Sequence, residues 1–379
     1  MNVSVIRSLA PSPRPPSAED QLRFLQRVTR ILDEGRFTTT YKFAMLIALT
    51  NVAVRRGHDD GSALSITLDE LAREFIDLHW GMAKPFPGTD GGLLAFSSQR
   101  SRQAAVITQI SRHAGPSRAT HARLRAYRAG EAELVAKVRS TITRDVLYRL
   151  QSVGPKGSTE DPSSQFIYEH PADATACAKL KEITLKPGVP ACLRSLRPVI
   201  VGMAQARWAL WMRAHNPWLG PDRMLEQFMF GSDRIPLARF AGWLYELQGG
   251  RCFYTGKRLR DSKAAHVDHF LPRARYALDV PANLVLASIQ ANADKRDHVA
   301  SERFLERWSA RNVRLQVPAS LVAEARTGPR PEDASGWSSA SAGARWMYEA
   351  GERSRVPAWD GMRTYCVIDG RWRSVLGTG

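Results

Sequence analysis

The sequence sets Asp268 and His269 side by side. Asn283 follows the histidine by fourteen residues, Asn292 comes nine further on, and Lys295 three after that. An imidazole can take a proton from water, carboxylate and amide oxygens bind hard cations, and an ammonium attracts anions. Hydrolysis of a phosphodiester needs this kit: a base to activate water, a cation to offset charge developing on the phosphate and leaving oxygen, and groups that hold both in line. Any one of these residues alone reads more simply as a satisfied polar group or a turn former. Their order and spacing are what single them out together.

Such side chains must be carried on short regular elements. Ala265-His-Val-Asp-His-Phe-Leu271 alternates polar and apolar around Val267 and is stopped by Pro272, which suits a short strand. Asn283-Leu-Val-Leu-Ala287 is a second β-prone run after the turn signal Asp279-Val-Pro281, and Ala291 to Trp308 reads as a helix with Val299, Phe304, Leu305 and Trp308 on its apolar side. An Asp-His pair on a first strand, a middle Asn and a later Asn on a helix resemble the motif of the HNH, or ββα-metal, nucleases. The resemblance implies a unit of two antiparallel strands and one helix that clamps a single divalent ion. It also implies roles: His269 as general base, Asp268 and Asn292 as metal ligands, Asn283 as the residue holding the loop and the histidine, and Lys295 as a basic group near the phosphate. Two oxygen ligands leave most of the coordination sphere to water and substrate, which suits Mg²⁺ or Mn²⁺ better than a closed zinc site. His266 either helps the metal or sits on the exposed side of the strand. Arg273 is expected to contact nucleic acid, and Arg296 and His298 either face phosphate or lie on a solvated helix face.

One departure from the family pattern matters. Many members carry two Cys-x-x-Cys pairs that bind a structural zinc. Here Cys252 is followed at the third position by Thr255, no cysteine falls near Asn292, and Cys177, Cys192 and Cys366 are scattered. Structural zinc is therefore not expected, packing by Phe253, Tyr254, Trp243 and Leu244 must hold the unit, and Cys252 reads as a buried thiol.

Over its 379 residues the chain is 44% hydrophobic and 24% charged, ordinary values for a folded protein. No run reaches the roughly 20 apolar residues of a membrane span. The proline-rich first ~17 residues read as a flexible arm rather than a signal peptide, and four unpatterned cysteines suit a reducing cytoplasm. The net charge of +17 is the second clue, since a cationic surface draws polyphosphate backbones with an affinity that falls steeply with salt. From Arg100 to Arg149, ten Arg and one Lys face only Glu131, Glu133 and Asp145. There Arg118, Arg123, Arg125 and Arg128 form either a DNA-tracking surface or a plain solvated face.

The fold expected is mainly α with a small α+β unit: a flexible arm over 1–17, a helical basic region over 18–240 that binds DNA, the ββα-metal nuclease domain over 241–315 and a C-terminal appendage over 316–379. Segments such as Thr40-Tyr-Lys-Phe-Ala44 and Leu247-Gln-Gly-Gly-Arg-Cys-Phe-Tyr254 resemble a broad set of bacterial HNH proteins with a helical N-terminal region. Some of these sit in antiphage defence or restriction systems, so that resemblance implies a Mg²⁺-dependent DNA endonuclease or nickase of a Zorya type II or restriction-like module, with other defence proteins as partners. An RNase or toxin-like nuclease and a non-catalytic nucleic-acid-binding subunit remain the alternatives.

Overall fold

The computed structural model of the chain describes residues 13–34, 37–84, 86, 94, 103–114, 130–153, 165–171, 173–217, 219, 224–230, 237–273, 275, 279–322, 333 and 335–377. Its N-terminal part is helical: α1 (Ala18–Glu34), α2 (Tyr41–Arg56), α3 (Leu68–Trp80), α4 (Ala105–Ala114), α5 (Glu131–Asp145), α6 (Ala174–Cys177), α7 (Val189–Ser195), α8 (Arg197–His215) and α9 (Met224–Met229). A short antiparallel pair, β1 (Leu64–Thr67) with β2 (Glu182–Leu185), ties the link between α2 and α3 to the segment before α7. α1 buries a stripe of Phe24, Val28, Ile31 and Leu32, the spacing of one helical face. α2 is buried nearly all round, as Phe43-Ala-Met-Leu-Ile-Ala-Leu49 requires, so it forms the axis on which α3, α7 and α8 pack. The Thr67 hydroxyl accepts from the Glu70 N–H at 3.2 Å and starts α3 as the capping pattern predicts. α2 starts after Thr40, whose hydroxyl makes no capping bond.

The second half runs α10 (Ala238–Leu247), β3 (Ala265–His269), β4 (Leu284–Ser288), α11 (Ile289–Lys295), α12 (Glu302–Asn312), α13 (Ala319–Val322), α14 (Trp337–Arg353), β5 (Pro357–Gly361), β6 (Thr364–Val367) and α15 (Trp372–Leu376). The strands among the described residues thus form three two-stranded sheets, and the rest of the regular structure is helical. The helix expected over Ala291–Trp308 is two helices. Arg296 adopts φ 50°, a left-handed conformation that stops α11, and α12 begins afresh after Ser301.

Two apolar cores result. One draws on residues from Phe24 to Met229, and the other runs from Phe240 to Trp372 with Val54 reaching into it. The second includes Tyr348 of α14, Trp359 of β5 and Trp372 of α15. Residues after 315 therefore help build the core around the ββα unit rather than hang beside it. The cores meet at Arg194, a buried guanidinium that binds Asp59 Oδ1 at 2.7 Å, Glu349 Oε2 at 2.8 Å and the Val54 carbonyl at 2.8 Å. Such a buried, fully paired cation fixes orientation, because breaking one side of it costs on the order of 3–5 kcal/mol. No described helix is long and apolar enough to cross a membrane.

Candidate active site

β3 and β4 pair antiparallel with Asp268 opposite Val285 and His269 opposite Leu284. β4 passes into α11 without a loop, because Ser288 ends the strand and its hydroxyl caps the Ala291 N–H at 3.3 Å. The outer edge of β4 is also satisfied. The Gln248 side chain donates to the Leu286 carbonyl at 2.9 Å and accepts from the Leu286 N–H at 2.8 Å, acting as a strand surrogate. Gly249 and Gly250, both at positive φ, make the turn that delivers Gln248 and Cys252 to this edge. The buried Cys252 sulfur accepts from the Ser288 N–H at 3.3 Å. Burial alone would raise that thiol, but hydrogen bonds from Thr255 and Ser288 outweigh it and bring it below its ordinary value.

Alternation along β3 puts His266 and Asp268 on one side of the strand, while His269 closes it where the chain bends at Phe270. Asp268 Oδ2 accepts from the Tyr254 hydroxyl at 2.7 Å and pairs with Lys295 Nζ at 3.0 Å. Burial, and then the Asp268 charge, push the Tyr254 phenol well above its ordinary value, so it stays a donor. Lys295 also donates to the His269 carbonyl at 2.9 Å and is 0% exposed. The structure thus places Lys295 inside the unit, binding both halves of the Asp-His pair, and not at a surface open to phosphate. The amide of Asn292 reaches His266 Nδ1 at 3.1 Å, so Asp268, His266 and Asn292 lie on one side of the ββα unit.

Asn283 is fully buried. Its Oδ1 accepts from the Leu271 N–H at 2.8 Å, its Nδ2 donates to the Leu271 carbonyl at 3.3 Å, and its own carbonyl accepts from the Phe270 N–H at 2.8 Å. It clasps the chain directly after His269. From the other side α12 grips the same turn: Trp308 Nε1 at 2.8 Å, Asn312 Nδ2 at 2.9 Å and the Arg311 guanidinium at 2.8 Å all donate to the Ala282 carbonyl. Arg311 is so enclosed that burial pushes its pKa down to about 9.

Sequence reasoning missed Asp279. Its Oδ1 stands 2.7 Å from His269 Nε2, and Arg273 Nε lies 3.4 Å from the same oxygen. Both His269 and Asp279 are largely shielded, with side-chain exposures of 12% and 9%. Asp279 read only as part of a turn before Pro281, and nothing local shows that the turn folds back onto a histidine ten residues earlier. Arg296 is exposed at the end of α11, whereas Arg118, Arg123, Arg125 and Arg128 lie outside the described residues.

Among the described residues no group of three or more His, Cys, Asp or Glu side chains is gathered as a metal centre. The donors that do meet are one carboxylate, one amide and one imidazole. Both contacts of the Asp268 carboxylate fall on Oδ2, and Oδ1 makes no hydrogen bond among the described residues. A carboxylate oxygen without a hydrogen bond among the described residues, on the same side of the unit as the Asn292 amide and the His266 ring, fits a hydrated divalent ion held by few protein ligands.

Residues 252–301 match the model of a family described as HNH endonuclease. No curated protein and no solved structure matches the chain. The matched span covers Cys252 and Tyr254, both strands and α11, and includes Asp268, His269, Asp279, Asn283, Asn292 and Lys295. The chain carries an HNH-family nuclease domain, built into a mainly helical protein.

Proposed function

We propose that the protein is a metal-dependent endonuclease that hydrolyses phosphodiester bonds of DNA, with His269 as the base. The observation that carries this reading is the His269–Asp279 contact of 2.7 Å, in the same ββα unit that brings Asn292 to His266. A carboxylate on Nε2 holds that proton and leaves Nδ1 as the nitrogen that can take another. Nδ1 makes no hydrogen bond among the described residues. His269 then accepts the proton of the attacking water at Nδ1, and Asp279 stabilises the imidazolium that forms. The water oxygen makes a new bond to phosphorus, one ester P–O bond breaks, and the leaving oxygen takes up a proton. A divalent ion on Asp268 and Asn292, with His266 beside them, would offset charge on the phosphate and leaving oxygen when bound. Tyr254 and Lys295 fix the Asp268 carboxylate, and Asn283 fixes the backbone beyond His269.

DNA is the substrate favoured by the net charge of +17 and by the basic stretch holding Arg118, Arg123, Arg125 and Arg128. Arg273 lies 3.4 Å from Asp279 and in this reading supports the base, while the exposed Arg296 would meet the backbone. One such centre cuts one strand per visit, so nicking is the elementary product. A role in a bacterial defence or restriction-like module, in the cytoplasm and alongside other defence proteins, accords with the bacterial proteins the sequence resembles. The test is supercoiled plasmid and structured RNA incubated in parallel with Mg²⁺, Mn²⁺ or EDTA. Plasmid nicking that chelation abolishes and Mg²⁺ restores is the expected outcome. Preferential cutting of RNA would make the protein a ribonuclease, and cutting that survives EDTA would remove the metal.

A further inference from the structure

We infer that the β5–β6 hairpin, which lies outside the matched nuclease span, is a DNA-gripping element that holds the backbone next to the cut site; this rests on the nuclease reading above. The hairpin is joined to the catalytic helix through one residue. Asp294 of α11 accepts from Trp359 Nε1 at 2.9 Å and from the Arg363 backbone N–H at 2.7 Å. The same two hydrogen bonds, followed by the nearby charges of Arg363 and Arg296, hold the Asp294 carboxyl below its ordinary value. Register places Tyr365 opposite Trp359, on the hairpin face turned toward α11, where its ring meets His298 edge-on at 5.0 Å. Arg296, His298, Arg363 and Tyr365 therefore form one patch around the end of the helix that carries Asn292.

Three properties of this patch suit a polyanion with stackable bases. Its arginines are available: among the described residues neither the Arg296 nor the Arg363 side chain makes an ion pair, whereas Arg303 and Arg371 nearby are bound to Asp360 and Asp369. It exposes apolar and aromatic surface where a small hairpin gains nothing from it, with Met362 69% and Tyr365 48% exposed. And it maintains an unfavourable turn. The two-residue loop holds Met362 at φ 48° and Arg363 at φ 61°, positions where a hairpin favours Asn and Gly. Long side chains kept at such positions point to use at the tip rather than to stability. The geometry is also suitable in scale: Arg296 follows Asn292 by four residues at the end of α11, about 6 Å along the helix, so the patch adjoins a residue proposed to hold the metal.

The decisive variant combines Met362→Asn with Arg363→Gly, which supplies the residues the turn favours and deletes the two tip side chains. A tip that only closes the fold predicts a higher Tm with unchanged DNA binding. The inference predicts a Tm equal or higher, with binding of a duplex oligonucleotide weakened roughly tenfold and the salt slope lowered by about one, as for loss of one phosphate contact. Tyr365→Ala should weaken binding of a single-stranded oligonucleotide by a similar factor through lost stacking, and in the cleavage assay the loss should fall on KM. His269→Ala serves as the reference: it should bind DNA as the wild type does, whatever its activity. Unchanged affinity and salt slope in both hairpin variants overturns the inference while leaving the nuclease reading intact. If the wild type cuts no nucleic acid, the nuclease reading fails, and the oligonucleotide titration alone decides whether the hairpin binds DNA. Concentration-dependent dimerisation lost in the hairpin variants, with DNA binding unaffected, would reassign the patch to a second copy of the chain.

Discussion

His269 can act as a base only if one ring nitrogen is held and the other is left open, and Asp279 supplies the hold. Asp279→Ala should leave folding intact yet slow cleavage on the order of 10- to 100-fold, mainly in kcat, because the ring loses its fixed tautomer while DNA contacts persist. Nitrogen-15 chemical shifts of the His269 ring give an independent readout. They should show the Nε2–H tautomer in the wild type and a mixture in the variant, and an unchanged ring spectrum with full activity would show that Asp279 merely caps a turn. Lys295 makes the opposite case. A phosphate contact would show its loss in DNA affinity, but this ammonium is buried on Asp268 and the His269 carbonyl. Lys295→Ala should therefore lower stability by about 3–5 kcal/mol, since the partly buried Asp268 carboxylate loses its cation; a variant with wild-type Tm and weak DNA binding would restore the phosphate role. The spacing of Asp268, His269, Asn283 and Asn292 was legible in the sequence because the family motif is local. The actual place of Lys295 was not, because its position in the motif says nothing of burial.

At the scale of elements, the unit is held by what grips the turn between its strands. Asn283 closes three hydrogen bonds from within, and Trp308, Arg311 and Asn312 close three more from α12. Asn283→Ala should cost about 2–4 kcal/mol by denaturant unfolding, because the Leu271 N–H and carbonyl are left buried and unpaired. Substitution by Asp should recover part of that loss, since one carboxylate oxygen can still accept from Leu271. A variant as stable as the wild type would mean that water takes over both bonds. The strands were readable from β-prone runs and the stop at Pro272, yet α11 and α12 read as one helix. Their apolar residues keep a continuous helical period, and the break at Arg296 comes from its backbone conformation, which composition does not encode. The β5–β6 hairpin was invisible for a related reason: its partners, Asp294 and His298, lie more than sixty residues upstream.

The whole molecule couples a helical body to the nuclease unit through Arg194, and a histidine buried in the helical core makes that core sensitive to acid. His79 sits at the centre of the first core, with its ring on the Phe75 carbonyl at 2.7 Å and against Trp208 at 5.3 Å. Burial lowers its pKa from 6.5 to about 4, partly offset by the Phe75 bond. Between those values the unfolded chain binds a proton that the folded core refuses. The His79 contribution is therefore fully present above pH ~6.5 and is lost as pH falls toward 4, a total of about 3 kcal/mol. Denaturant unfolding from pH 7 to 4.5 should show this decline in the wild type and a flatter profile in His79→Leu; parallel profiles would assign the acid sensitivity elsewhere. The most direct test of the account is single-turnover cleavage of supercoiled plasmid by His269→Ala and the wild type, both saturated with DNA in Mg²⁺. The account predicts equal binding and a fall in cleavage rate of about 10²-fold or more for the variant. Cleavage at the wild-type rate, with binding unchanged, would contradict it.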